Sequence, residues 1–140
     1  MSGDAKLELL RRVPLFATFK ARDLELVGRL ADEVDVPGGR VLTREGEVGH
    51  EFFVIVSGTV RIERAGKLLN TLGPGDFLGE ISLVDGRPRT ATATADGPAR
   101  LLVLASREFA SLVGEYPDIQ IEVLEALAQR VRHLDPDSGI

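Results

Sequence analysis

From residue 37 to residue 105 the chain alternates short apolar runs with breaks rich in glycine and proline. The breaks are Pro37-Gly38-Gly39, Gly46, Gly49, Gly58, Gly66, Gly73-Pro74-Gly75, Gly79, Gly86, Pro88 and Gly97-Pro98. Runs of β-branched and aliphatic residues punctuated in this way form strands joined by tight turns. The pattern predicts strands over 40–43, 51–57, 59–64, 67–72, 90–95 and 99–105. Thr59-Val60-Arg61-Ile62-Glu63 alternates cleanly, which turns Val60 and Ile62 inward and Arg61 and Glu63 to water. The middle of the chain is therefore a compact barrel or sandwich.

The two ends follow a different period. Leu24, Val27, Leu30 and Ala31 recur at helical spacing, and Leu7, Leu10 and Val13 mark a shorter helix that stops at Pro14. After the strands, Ser106 reads as the N-cap of a brief helix through Val113. Pro117 suits the first turn of a longer helix running to about Leu134. On that last helix Ile119, Ile121, Val123, Leu124, Leu127, Ala128, Val131 and Leu134 spread over an arc of roughly 200°. Glu122, Glu125, Gln129 and Arg132 fill the opposite side. A surface helix needs an apolar stripe only somewhat wider than 100°, which leaves two readings: the excess touches a second subunit or a ligand, or the helix is simply well buried within its own monomer. The resulting division is N-terminal helices over 1–31, strands over 32–105, C-terminal helices over 106–134 and a tail over 135–140.

Composition narrows the chemistry. A 140-residue chain that is 44% hydrophobic and 28% charged is an ordinary globular domain, expected to be soluble and cytoplasmic. It has no cysteine, hence no disulfide, thiol nucleophile or thiolate zinc site. Its two histidines, His50 and His133, stand far apart in sequence, which argues against a metal-dependent enzyme; both are expected to be exposed. Ser82 has no neighbouring histidine to activate it, so no catalytic role is expected. With 17 basic and 22 acidic residues the net charge is −5, unlike a chain whose partner is nucleic acid. The apolar runs are far short of the roughly 20 residues that cross a bilayer.

The densest chemistry lies between Leu72 and Thr92. A glycine-rich turn leads to Gly79-Glu80, a short apolar turn Ile81-Ser82-Leu83 follows, and Pro88-Arg89-Thr90 enters a strand. Gly79 lets a ligand approach the backbone closely. The N–H groups that open the Ile81-Ser82-Leu83 turn offer an anion seat, and Arg89 supplies a permanently charged fork suited to phosphate oxygens. In a regular strand Arg89, Ala91 and Ala93 share a face, leaving small neighbours around the guanidinium. Such an arginine needs an anionic answer. One candidate is Glu80, in a purely structural ion pair; the other is a ligand.

This segment resembles the phosphate-binding cassette of the cyclic nucleotide-binding domain family. The matching residues are Phe77-Leu78-Gly79-Glu80-Ile81-Ser82-Leu83 and Pro88-Arg89-Thr90-Ala91. The likeness extends to Glu45-Gly46-Glu47, Phe53 to Gly58, Leu72-Gly73-Pro74-Gly75-Asp76, Val13-Pro14-Leu15-Phe16 and Tyr116-Pro117-Asp118, and so covers residues 10 to 134. It implies a double-stranded β-helix, a jelly-roll-like β-roll, with N-terminal helices and two C-terminal helices. The implied ligand is cAMP or cGMP, with no separate cofactor and no metal. The resemblance gives Glu80 to the ribose 2′-hydroxyl and Arg89 to the exocyclic phosphate oxygens. Backbone N–H groups near Ser82 and Thr90 would complete the cradle, with Gly79, Ile81 and Ala91 beside them. Thr90 could serve through its hydroxyl, provided that the backbone departs from strand alternation there.

Leu134 and Asp135 fall near where the family places residues that cap the base. Lys20 stands where a capping Ser or Thr is usual, which is expected to weaken its helix by roughly 1 kcal/mol, and His50 stands where Asp is usual. No helix-turn-helix, kinase or pore segment is seen after residue 134, so a stand-alone sensor is expected, signalling through its last helix to a twin subunit or another protein. The competing expectation is an interaction module of the same fold that takes no ligand and keeps a Glu80–Arg89 ion pair.

Overall fold

The structure is a computed structural model that describes residues 3–134, with side chains to residue 129. Helix α1 (Gly3–Arg11), a 3₁₀ turn at Pro14–Phe16 and α2 (Ala21–Leu30) precede the strands. The strands are β1 (Asp32–Val36), β2 (Val41–Thr43), β3 (Glu51–Ser57), β4 (Val60–Arg64), β5 (Lys67–Leu72), β6 (Phe77–Leu78), β7 (Thr92–Ala95) and β8 (Ala99–Ala105). The one-turn helix α3 (Ser82–Asp85) interrupts them, and α4 (Ser106–Glu115) and α5 (Pro117–Leu134) follow. Two antiparallel four-stranded sheets result, ordered β1-β8-β3-β6 and β2-β7-β4-β5.

The β1-β8-β3-β6 sheet is covered on both faces, which explains why β3 and β8 carry nearly unbroken apolar runs. On β3, Phe52 and Val54 join a core with the helices, built from Phe16, Leu24, Phe109, Ile119 and Val123 among others. The alternate residues Phe53 and Ile55 pack towards the second sheet with Val60, Ala93, Ala95 and Leu101. Strand β8 divides in the same way, with Leu102 and Leu104 to the helices and Leu101 to the strands. The ring of Phe16 meets Phe19, Phe52 and Phe109 at centroid separations of 5.2, 5.7 and 5.9 Å, within the range of favourable aromatic pairs.

Several boundaries differ from the sequence pattern. Strands β1 and β6 are additional, and the strand expected from residue 90 begins at Thr92, after a bend at Thr90 and Ala91. Ser106 is not a cap: Ala105 holds the N-cap position with no side-chain bond. Ser106 is the first helical residue, and its N–H donates to the His50 carbonyl at 2.7 Å. Helix α4 also continues past Val113 to Glu115.

The broad apolar arc of α5 splits in two. Ile119, Val123 and Ala126 are buried, while Ile121 and Leu124 are 55% and 65% exposed. The side chains of Val131 and Leu134 lie outside the described residues.

Glu122 corrects the assignment of a polar flank: it is buried against the start of α2. Lys20, the N-cap of α2, offers no side-chain acceptor. Its own N–H donates instead to Glu122 Oε1 at 3.2 Å, and Thr18 Oγ1 donates to the Glu122 carbonyl at 2.9 Å. A carboxylate 102 residues away thus supports the helix start at which Lys20 has no cap of its own. Burial raises the Glu122 pKa, and the neighbouring Asp23 carboxylate raises it further; the bond from the Lys20 N–H opposes both.

The folded protein therefore holds a proton on Glu122 over a range in which the unfolded chain, titrating near 4.3, has released it. The contribution of Glu122 is favourable below that value and is lost as pH rises through the raised folded value. Glu122→Gln keeps the hydrogen bond without the charge. Its melting temperature is expected to gain on that of the parent as pH climbs from about 4 to 8, and parallel profiles would contradict this.

Candidate functional site

Arg89 sits where three backbones converge. Pro88 bridges to Val48, the Arg89 N–H donates to the Glu47 carbonyl at 2.7 Å, and the Arg89 carbonyl accepts from Gly46 N–H at 2.8 Å. These bonds fix the Arg89 backbone before β7 begins. Two glycines flank its side chain. A Cβ added at Gly49 would fall on Nε, Cζ and Nη2 of Arg89, and one added at Gly79 would fall on Nη1. Gly79 also has φ +82°, a left-handed conformation suited to glycine. Both glycines are therefore needed for the guanidinium to occupy its place.

The guanidinium is half-buried, and its Nη2 donates to the Glu51 carbonyl. Its Nε is buried with no hydrogen-bond partner. Among the described residues no carboxylate lies within ion-pair distance of Arg89. The Glu80–Arg89 pair considered as a structural alternative is thus not formed. Loss of water lowers the Arg89 pKa, and the more distant charges of Glu51 and Asp85 partly restore it. The group remains cationic at neutral pH.

Glu80 is buried at 4% exposure, and its Oε2 accepts from the Leu15 N–H at 3.2 Å. It lines a hollow of about 540 Å³ together with Leu78, Gly79, Ile81, Ser82 and Arg89. A second hollow of about 230 Å³ shares Leu78, Gly79, Arg89 and Thr90 with the first. Ile62, Leu72, Ala91 and Ala93 give this one an apolar wall. A lobe that carries charged side chains thus adjoins an apolar one, and together they fall within the size range of small-molecule pockets.

The cassette backbone differs from expectation at Ser82. Its N–H and Oγ both donate to the Gly79 carbonyl, at 3.1 and 2.6 Å, because the chain closes into α3 there. The Leu83 N–H likewise donates to the Glu80 carbonyl, at 3.1 Å. Available N–H groups are those of Ile81, Thr90 and Ala91, which are not donated among the described residues. The irregular backbone that Thr90 required is present, since both Thr90 and Ala91 precede β7. His50 is exposed as expected. Leu134 ends α5, but its side chain and the whole of Asp135 lie outside the described residues, as does the side chain of His133. Among the described residues there is no group of three His, Cys, Asp or Glu side chains that could hold a metal, and no helix long and apolar enough to cross a membrane.

In sequence Gly49 looks like the other turn glycines. Its place between Glu47 and Glu51, just before a strand, was the available signal, but the partner that gives it meaning is 40 residues away.

Residues 33–116 match the model of the cyclic nucleotide-binding domain. The chain belongs to that family. Among curated cyclic nucleotide-binding relatives, it is 32% identical over 130 residues to a CRP-like cAMP-activated global transcriptional regulator of Mycobacterium tuberculosis, covering 89% of this chain and 58% of the relative. It is 37% identical over 112 residues to a cyclic nucleotide-gated potassium channel of Mesorhizobium japonicum, covering 80% of this chain and 31% of the channel. The chain thus spans little more than half of the regulator and a third of the channel.

Among solved structures, the N-terminal domain of a transcriptional regulator from Streptomyces coelicolor A3(2) superimposes with a TM-score of 0.84 at 31% identity, covering 92% of this chain and 96% of that one. The regulatory domain of Toxoplasma gondii PKA, solved with cAMP, gives 0.73 at 27% identity, covering 79% and 44%. The mainly antiparallel sheets with flanking helices are the cyclic nucleotide-binding β-roll.

Proposed function

We propose that this chain is a regulatory module that senses a cyclic purine nucleotide, cAMP in the first instance, in the paired hollows beside Arg89. The observation that carries this reading is the Arg89 guanidinium itself: held by Gly49 and Gly79, half-buried, and answered by a backbone carbonyl rather than a carboxylate. A cyclic phosphate supplies the missing negative charge. The N–H groups of Ile81, Thr90 and Ala91 add donors to the same anion, the Glu80 carboxylate accepts from the ribose hydroxyl, and the apolar wall of Ile62, Leu72 and Ala93 packs the remainder of the ligand. cAMP is preferred over cGMP because it is named for the mycobacterial regulator and is bound in the Toxoplasma domain. A regulatory role is supported by the mycobacterial transcriptional regulator to which the chain is similar. The exposed Ile121 and Leu124 on α5 offer the surface through which a second copy or another protein would register binding.

Thermal unfolding with and without nucleotide tests this. A ligand at 100 times its Kd stabilises the folded state by about 2.7 kcal/mol, which raises the midpoint by on the order of 10 °C for a chain of this size. The expected result is such a rise with cAMP or cGMP and none with 5′-AMP, whose open phosphate has a different shape and charge. Superimposable melts would instead favour an interaction module without a ligand.

A further inference from the structure

The bond from the Leu15 N–H to Glu80 has a reason that lies outside the nucleotide site. Leu15 belongs to the first turn of the 3₁₀ segment, where backbone N–H groups have no partner within the helix. The N-cap is Val13, whose side chain cannot accept, and the intervening residue is Pro14. Glu80, 65 residues away, acts as the missing cap. Four residues of the same lead-in, Val13, Leu15, Phe16 and Phe19, are buried in the helical core. Its far end is held by α5, through Thr18 Oγ1 to the Glu122 carbonyl and Lys20 N–H to Glu122 Oε1. Residues 13–20 therefore bridge the cassette carboxylate and the last helix.

We infer that Glu80 is a two-position switch: it caps the 3₁₀ turn through the Leu15 N–H, and it gives up that bond when it turns into the hollow to accept a nucleotide hydroxyl. This rests on the function proposed above and adds a second output. Besides reshaping the cassette, nucleotide binding uncaps the lead-in and so loosens the grip of residues 13–20 on α5. In this switch both partners draw on the same oxygen, Oε2, so whatever weakens the cap strengthens the ligand.

Calorimetry and amide hydrogen exchange on the full chain test the switch together. With cAMP at saturation, exchange protection at Leu15 is expected to fall at least tenfold, while Leu101 and Leu104 in the core of β8 keep theirs. Glu80→Ala without nucleotide is expected to give the same local loss. Thr18→Val, a nearly isosteric change that cuts one tie to α5, is expected to tighten cAMP binding two- to fivefold, whereas a merely structural role for Thr18 predicts no change or weaker binding. Measurable heat of binding with Leu15 protection unaltered, or unchanged or weaker affinity in Thr18→Val, overturns the switch but leaves the nucleotide site standing. No heat with either cAMP or cGMP removes the site reading, and the switch falls with it.

Discussion

Arg89→Ala is expected to lower cAMP affinity at least tenfold, and Arg87→Ala to change it little, in calorimetric titrations. The two arginines are two residues apart and border the same hollow, so overall charge does not separate them; geometry does. The Arg89 backbone is pinned to Gly46 and Glu47, and its guanidinium is lodged between glycines. Arg87 is exposed, and its N–H donates to Asp85 Oδ1 at 3.0 Å in the loop after α3. A hydrogen bond to a charged group contributes about 1.5–3 kcal/mol net, and about 1.4 kcal/mol is a factor of ten in affinity. Losing one such contact meets the tenfold threshold, and losing a bidentate pair exceeds it. Removal of Arg89 should cost little stability, since it deletes a half-buried cation that has no carboxylate partner. Equal losses of affinity at the two positions would falsify the cradle.

Gly49→Ala is expected to reproduce the binding defect of Arg89→Ala with the arginine still present. The added methyl group falls on the guanidinium, not on backbone, and Gly49 does not occupy the left-handed region, so the side chain of Arg89 is what must move. The fold should tolerate this. Replacing glycine by alanine at a compatible position stabilises by about 0.4–1 kcal/mol through the unfolded chain, which offsets the displacement. A tenfold or greater loss of affinity with a melting temperature within a few degrees of the parent is the expected pair of results. Undiminished affinity would mean that Arg89 reaches the ligand from elsewhere. Gly79→Ala lacks this separation: with φ +82° and the Glu51 carbonyl 3.1 Å from the added Cβ, it strains the backbone as well.

Much of this arrangement was legible from local pattern. The spans of β3, β5 and β8 follow directly from apolar runs between glycines, and the cassette announces itself through Gly79, Glu80 and Arg89 in order. What escaped depends on residues distant in sequence. Strand β1 reads Asp-Glu-Val-Asp-Val, with three acids in five residues, and resembles a loop; it is a strand because it lies at a sheet edge against β8, where its charges meet water and Asp35 pairs with Arg100 at 2.8 Å. Strand β6 is two residues long and exists only through its pairing with Phe53 and Val54. Glu122 lies on the polar flank of its helix by periodicity, yet is buried because α2 begins beside it without a cap. Glu80 was legible as a cassette residue but not as the cap of a turn 65 residues earlier. Periodicity identifies faces; it does not identify which orphaned N–H a buried carboxylate will meet.

Strands β3 and β8 each send alternate side chains into separate interiors, one shared with the helices and one with the second sheet. Neither interior can be dismantled alone, because stripping either exposes half of the same two strands to solvent. The consequence is all-or-none behaviour: the helical layer has no independent stability to lose first, and the molecule should pass between native and denatured populations without a half-assembled species. If the last helix is repositioned on nucleotide binding, as proposed above, that indivisibility keeps the movement within the native basin.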